Sequence, residues 1–85
     1  MKNLCASLIV LSLPLIVWAG PINVNTADAE RLAQELDGVG MSKAESIVKY
    51  RNEHGGFETA EELLKVKGIG AGVLDANTGN ILVSD

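Results

Sequence analysis

The chain has few of the residues on which common catalytic and structural sites depend. Its 85 residues include one cysteine, one histidine, two prolines and only 4% aromatic residues. A single cysteine excludes an internal disulfide, a Cys-x-x-Cys redox site and a cysteine-based zinc site. One histidine leaves little scope for zinc catalysis, and no nucleophile is paired with a base. The sequence therefore predicts one small domain that is not an enzyme and has no metal ion or cofactor.

The apolar residues are concentrated at the amino terminus. Residues 4–18 carry no charge and follow a short start that contains Lys2. This run is shorter than the ~20 residues that a membrane-spanning helix needs, but it suits the ~7–15 apolar residues of an export signal. Val17 and Ala19 stand where signal peptidase prefers small residues. We therefore expect residues 1–19 to be a signal peptide cleaved after Ala19; the alternative is an uncleaved membrane anchor.

The rest of the chain contains an internal repeat with a spacing of thirty residues. The segment LDGVG at residues 36–40 recurs as VKGIG at residues 66–70. Apolar residues before the first copy follow helical spacing, and no alternating apolar pattern predicts a sheet. Each copy is therefore predicted to form a helix, a tight Gly-hydrophobic-Gly turn and a second helix. The expected fold class is all-α, with four to five short helices.

Capping residues predict where these helices begin and end. Asn25 is the expected N-cap of the first helix, and the glycines Gly55 and Gly56 after His54 supply the left-handed backbone that a C-cap of the second helix needs. Thr59 and Glu62 match a capping box at the start of the third helix. The fourth helix is the weakest prediction, and residues 81–83 are expected to pack back on the core as a tail. Phe57 is expected to fill the core where the two repeats meet.

The two Gly-hydrophobic-Gly turns are a candidate phosphate-binding site. The glycines permit a tight backbone, and the middle residue points inward. The first N–H groups of the following helix point outward with the positive end of its dipole, which suits a phosphate oxygen. A side chain at the second glycine of either turn is expected to crowd both the turn and the phosphate. The candidate DNA-binding residues are Gly38, Val39, Gly40, Ser42, Lys43, Lys67, Gly68, Ile69, Gly70 and Gly72. The alternative for each turn is an ordinary corner between two helices.

The order of the motifs resembles a known family. INVNTA, L-x-GVG-x-x-KA, IVKYR, GGF, EEL and VKGIG follow one another as in the tandem helix-hairpin-helix domain of ComEA-type competence proteins. The resemblance covers residues 22–83 and implies a SAM-like fold. It also implies a receptor that binds double-stranded DNA without sequence preference during natural transformation, with DNA-uptake machinery proteins as further partners. Together with a cleavable signal and no long linker, it implies a soluble periplasmic protein.

Charge is the main departure from what DNA binding favours. The chain has a net charge of −4, and Lys2 is its only charged residue before Asp28, so residues 20–85 carry −5. Val73 stands in the second repeat where Lys43 stands in the first, so the second hairpin is expected to bind more weakly. The alternative function is therefore a protein–protein interaction module in an envelope complex.

Further side chains are weaker candidates for DNA contact. Lys49, Lys65 and Arg51 extend the basic positions, although charges on a helix surface are commonly just solvated. Tyr50 is able to stack on a sugar or base, or else is a half-buried surface aromatic. His54 is expected to be a helix-end residue.

Overall fold

This computed structural model describes residues 20–85, which contain four helices and two very short strands. The elements in chain order are β1 (Ile22–Asn23), α1 (Ala29–Glu35), α2 (Met41–His54), a 3₁₀ helix (Ala60–Lys65), α3 (Ala71–Ala76) and β2 (Ile81–Leu82). The predicted all-α fold with two hairpins is confirmed. The predicted signal peptide, residues 1–19, lies outside the described residues. No helix within residues 20–85 is long and apolar enough to cross a membrane.

A short parallel ladder joins the two ends of the domain. Ile22 pairs with Ile81, and Asn23 pairs with Leu82. The Ile22 N–H donates to the Asn80 carbonyl at 2.8 Å. The tail therefore packs back on the domain as expected, but it does so as a strand. Two residues are too few to show an alternating pattern, so the sequence does not predict this pairing.

The core lies between the two hairpins, and its fully buried residues come from every helix except α3, whose Val73 and Leu74 pack against it half-buried. Its buried residues are Ile22, Val24, Ala27, Leu32, Leu36, Val39, Ala44, Ile47, Phe57, Leu63, Val66 and Ile69. Phe57 is 3% exposed, as expected for a ring at the junction of the two repeats.

The sequence predicted Asn25 as the N-cap of the first helix, and this prediction was wrong. Asp28 is the N-cap, and its side chain accepts a hydrogen bond from the Arg31 N–H at 2.8 Å. The Asn25 side chain instead accepts from the Phe57 N–H at 2.7 Å and donates to the carbonyls of Phe57 and Val83 at 2.9 and 2.7 Å. It therefore ties the amino-terminal segment to the linker between the repeats and to the tail.

The other predicted helix ends are partly confirmed. Gly55 ends α2 with a φ of +84°, the left-handed backbone that glycine tolerates best. The third helix is a 3₁₀ helix, and the predicted capping box was wrong. The Thr59 side chain makes no cap hydrogen bond, and Glu62 accepts from the N–H of Glu58 at 2.7 Å, not from that of Thr59.

Candidate nucleic-acid interface

The two Gly-hydrophobic-Gly turns have the same backbone geometry. Gly38 and Gly68, the first glycine of each turn, have φ values of +81° and +92°. A side chain is strained in this left-handed region, so these two positions require glycine. The middle residues Val39 and Ile69 are 4% and 5% exposed and point into the core as predicted. Each turn is thus held against the core by a buried apolar side chain.

The second glycines, Gly40 and Gly70, have a different role. Their φ values are −89° and −118°, which any residue adopts, and a Cβ atom at either position would meet no atom within 4 Å. The expectation that a side chain there would crowd the turn was wrong. Both glycines are exposed. Because they have no side chain, the space in front of the first turn of the next helix stays open.

The two helix starts differ in how many backbone N–H groups remain available. In α2 the Ala44 N–H donates to the Gly40 carbonyl at 2.9 Å, and the Lys43 N–H has no acceptor within residues 20–85. In α3 both the Val73 and the Leu74 N–H donate to the Gly70 carbonyl, at 3.1 and 3.3 Å. The tighter first turn of α3 uses a donor that the first hairpin leaves free. That the second hairpin binds more weakly stays a prediction, and this asymmetry favours it.

The hairpins lie side by side and pack across each other. The side-chain carbons of Lys43 lie 3.5–4.0 Å from where a Cβ at Gly68 would be, and Val73 Cγ2 lies 3.5 Å from the same point at Gly38. Lys43 is the third residue of α2 and Val73 is the third residue of α3. Each therefore covers the first glycine of the other hairpin's turn. Lys43 Nζ also donates to the Gly38 carbonyl at 3.3 Å. The lysine thus lies between the two turns and contacts both.

Asn77 is a contributor to this site that the sequence reasoning missed. It is 0% exposed, and its side chain accepts from the Asp37 N–H at 2.8 Å and donates to the Asp37 carbonyl at 2.9 Å. It also donates to the Val73 carbonyl at 2.8 Å. Asn77 therefore fastens α3 to the first turn. A signal existed in the repeat, because the equivalent position thirty residues earlier is the apolar Ile47.

The predicted candidates divide into buried and exposed positions. Val39 and Ile69 are buried, and Lys43 is half-buried. The exposed members are Gly38, Gly40, Ser42, Lys67, Gly68, Gly70 and Gly72. The structure therefore brings the two predicted turns together, with Lys43 at their junction.

An open groove continues from the second turn along α2. We call it the lysine groove; it is lined by Lys49, Tyr50, His54, Lys65 and Lys67, among other residues. Three lysines, Lys49, Lys65 and Lys67, line the groove, and Lys43 lies at the hairpin junction. These four are all the lysines in the part of the chain that the structure describes. The net charge of −5 therefore conceals an uneven distribution, with the lysines gathered at the hairpins and the groove.

Arg51 does not belong to this basic surface. Its guanidinium donates to the backbone carbonyls of Val24, at 2.8 Å, and of Ala27. Burial lowers the pKa of Arg51, and the nearby Asp28 carboxylate partly offsets that effect. The suggestion that Arg51 extends a DNA-contacting strip is not supported, since its side chain supports the amino-terminal segment instead.

Within residues 20–85 the structure contains no group of three or more His, Cys, Asp or Glu side chains that could hold a metal ion. The chemistry available at the turns is therefore that of backbone N–H groups, open space and lysine ammonium groups.

Comparison with known proteins agrees with this geometry. The helix-hairpin-helix motif family matches residues 17–82. The chain belongs to the helix-hairpin-helix family. Its domain is of the ComEA type, since 49 residues are 55% identical to ComE operon protein 1 of Bacillus subtilis.

Relatives of very different size share this helix-hairpin-helix domain. An uncharacterised protein of Haemophilus influenzae is 48% identical over 66 residues, which is 78% of this chain and 59% of that protein. The match to the Bacillus protein covers 58% of this chain and 23% of that one. The human endonuclease/exonuclease/phosphatase family domain-containing protein 1 is 44% identical over 63 residues, 74% of this chain but 11% of its own length. The matches thus span less than two thirds of the length of each of these relatives.

Proposed function

We propose that this chain is a non-catalytic protein that binds double-stranded DNA without sequence preference. The observation that carries the proposal is the pair of adjacent open turns, with Lys43 contacting both of them. Each turn leaves the start of a helix uncovered, where N–H groups and the helix dipole favour an anion. Two such sites side by side suit phosphates on the two strands of one duplex.

The proposed contacts read no base. Backbone N–H groups and lysines bind phosphate oxygens, which position a protein on DNA but carry no sequence information. Asp37 precedes the first turn and Lys67 precedes the second at the equivalent position. The positive charge of Lys67 therefore compensates in part for the apolar Val73, which stands where the first hairpin has Lys43. The first hairpin supplies the stronger contact because it has the additional free N–H group and Lys43.

We further propose a role in DNA uptake during natural transformation, in the periplasm. The similarity to ComE operon protein 1 supports the role in competence. The predicted export signal supports the location. The DNA-uptake machinery is the proposed protein partner, and the membrane takes part only if the signal remains uncleaved.

A second candidate function is a protein–protein interaction module. The net charge of −5 on residues 20–85 favours it, because a negative protein is repelled by DNA outside its basic surface. In that case the turns serve only as corners between helices.

Duplex binding at two salt concentrations separates these functions. With ~2–3 phosphates neutralised, the log–log salt dependence has a slope of roughly −2 to −3 and the Kd at physiological salt is ~10⁻⁴ to 10⁻⁶ M. We expect two duplexes of unrelated sequence to bind within about twofold of each other. Absence of binding at low salt, or no salt dependence, would favour the interaction module.

A further inference from the structure

The lysine groove has features that binding of a duplex by the hairpins does not use. It is an open cavity of about 440 Å³ that runs between α2 and the second hairpin. Lys67 lies in its lining and also stands directly before Gly68, so the groove begins where the proposed duplex site ends.

Aromatic rings connect the groove to the core. Tyr50 stacks on Phe57 with ring centroids 5.3 Å apart, and on His54 at 4.0 Å with the planes inclined by 15°. Phe57 is buried, Tyr50 is half-buried and His54 is exposed, so the stack ends at the surface of the groove. The His54 ring is held in place, since its Nδ1 lies 3.0 Å from the Tyr50 carbonyl oxygen. An exposed, fixed aromatic ring is a surface on which a nucleobase stacks.

The charges indicate how much of a strand the groove accommodates. Lys49, Lys65 and Lys67 outnumber Glu53 in the groove itself. Beyond His54 the surface continues past Gly55 and Gly56 to Glu58 and Glu62. Those carboxylates repel a phosphate, so the favourable part of the groove is short. Its size and charge suit one or two nucleotides.

Unpaired nucleotides fit these features better than a duplex does. The bases of a duplex are stacked inside the helix and reach a protein ring only when they are unpaired. A groove that combines lysines with an exposed ring stack matches the general form of a single-strand site.

We propose that the lysine groove binds one or two unpaired nucleotides of a DNA single strand that leaves the duplex at the second hairpin. The position of that duplex rests on the proposed function, whereas the affinity of the groove for a single strand does not. The phosphates contact the lysines, and a base stacks on the exposed face of His54.

Fluorescence anisotropy of labelled DNA tests this proposal. The probes are one blunt duplex and the same duplex with three unpaired thymidines at either the 5′ or the 3′ end. One base stacked on an aromatic ring strengthens binding by roughly fivefold or more. We therefore expect at least one tailed probe to bind that much more tightly than the blunt probe. The ratio of the two affinities is the readout.

Variants then assign the gain to the groove. His54→Ala removes an exposed ring, and Lys49→Gln with Lys65→Gln removes two exposed charges; each should return the ratio to about one. Gln34→Glu with Ser84→Asp is the matched control, because it makes the same change in net charge at exposed positions outside the groove. It should keep the ratio. No gain from either tail, or a gain that survives both groove variants, would overturn the proposal.

A second readout distinguishes failure of the groove from failure of the duplex site. In full-length Trp18→Phe protein, Tyr50 is the one tyrosine and no tryptophan remains, so emission excited at the tyrosine band reports on the groove. Short oligothymidine should quench that emission in this background and not in the same protein with His54→Ala. This holds even if the blunt duplex fails to bind, an outcome that contradicts the proposed function alone. If quenching is absent, or is unchanged by His54→Ala, the proposal that the lysine groove binds a single strand is contradicted.

Discussion

Asn77→Ala should destabilise the domain far more than an ordinary surface substitution. The side chain is fully buried and makes three hydrogen bonds, of 2.8, 2.9 and 2.8 Å, with the backbone of Asp37 and Val73. Each such bond contributes about 0.5–1.5 kcal/mol, so the three together contribute about 1.5–4.5 kcal/mol. Asp37 is itself exposed, and water is able to satisfy part of its backbone after the change. We therefore expect a loss of about 2–3 kcal/mol.

Urea unfolding followed by circular dichroism measures this loss. For a domain of this size each kcal/mol lowers the Tm by about 4–8 °C, so the thermal midpoint should fall by roughly 10–20 °C. Asn80→Ala is the matched control, because Asn80 is exposed and its side chain makes no hydrogen bond within residues 20–85. It should change stability by less than about 0.5 kcal/mol. If the two variants were equally stable, Asn77 would not fasten α3 to the first turn.

Four further outcomes follow from the structure. Phe57→Ala should cost ~3–5 kcal/mol in the free energy of unfolding, because the ring is buried at the junction of the repeats; a loss below about 1 kcal/mol would contradict that. Gly38→Ala should cost about 1–2 kcal/mol in denaturant unfolding because its φ is +81°, and a neutral result would contradict the left-handed turn. Arg51→Gln should lower stability but leave the salt dependence of duplex binding unchanged, since the guanidinium donates to backbone carbonyls; a shallower salt slope would return Arg51 to the DNA surface. Mass spectrometry of protein from the cell envelope should find an amino terminus at Gly20, within a residue or two, whereas intact protein in the inner membrane would favour the anchor.

The repeat made the hairpins predictable from the sequence. A Gly-hydrophobic-Gly turn places its middle residue in the core whenever helices flank it, so the burial of Val39 and Ile69 followed from local pattern alone. The cap at Gly55 is a similar case, because it depends on residues close in the chain. These features are local, and local sequence was enough.

Long-range polar contacts could not be predicted in the same way. Asn25 had the residue type of a helix cap, but its side chain bonds to residues 32 and 58 positions away. Asn77 was not predicted to have any structural role, and its partner Asp37 lies forty positions earlier. An asparagine side chain bonds equally well to near and distant backbone, and only the folded arrangement decides between them. The role of the second glycines, Gly40 and Gly70, also depended on the fold, because the neighbouring sequence does not show how much space surrounds a residue.

Gly40→Asp tests the central claim, that the turns bind phosphate through uncovered helix starts. Aspartate is a favourable N-cap residue, and a Cβ at this position meets nothing within 4 Å, so the folded state should be as stable as the wild type or slightly more so. The same carboxylate occupies the free N–H groups of α2 and repels a phosphate. Duplex affinity, measured beside Gln34→Glu as a control for the added charge, should therefore fall by about tenfold or more while stability is retained. Wild-type affinity in folded Gly40→Asp would contradict the account and leave the hairpins as corners between helices.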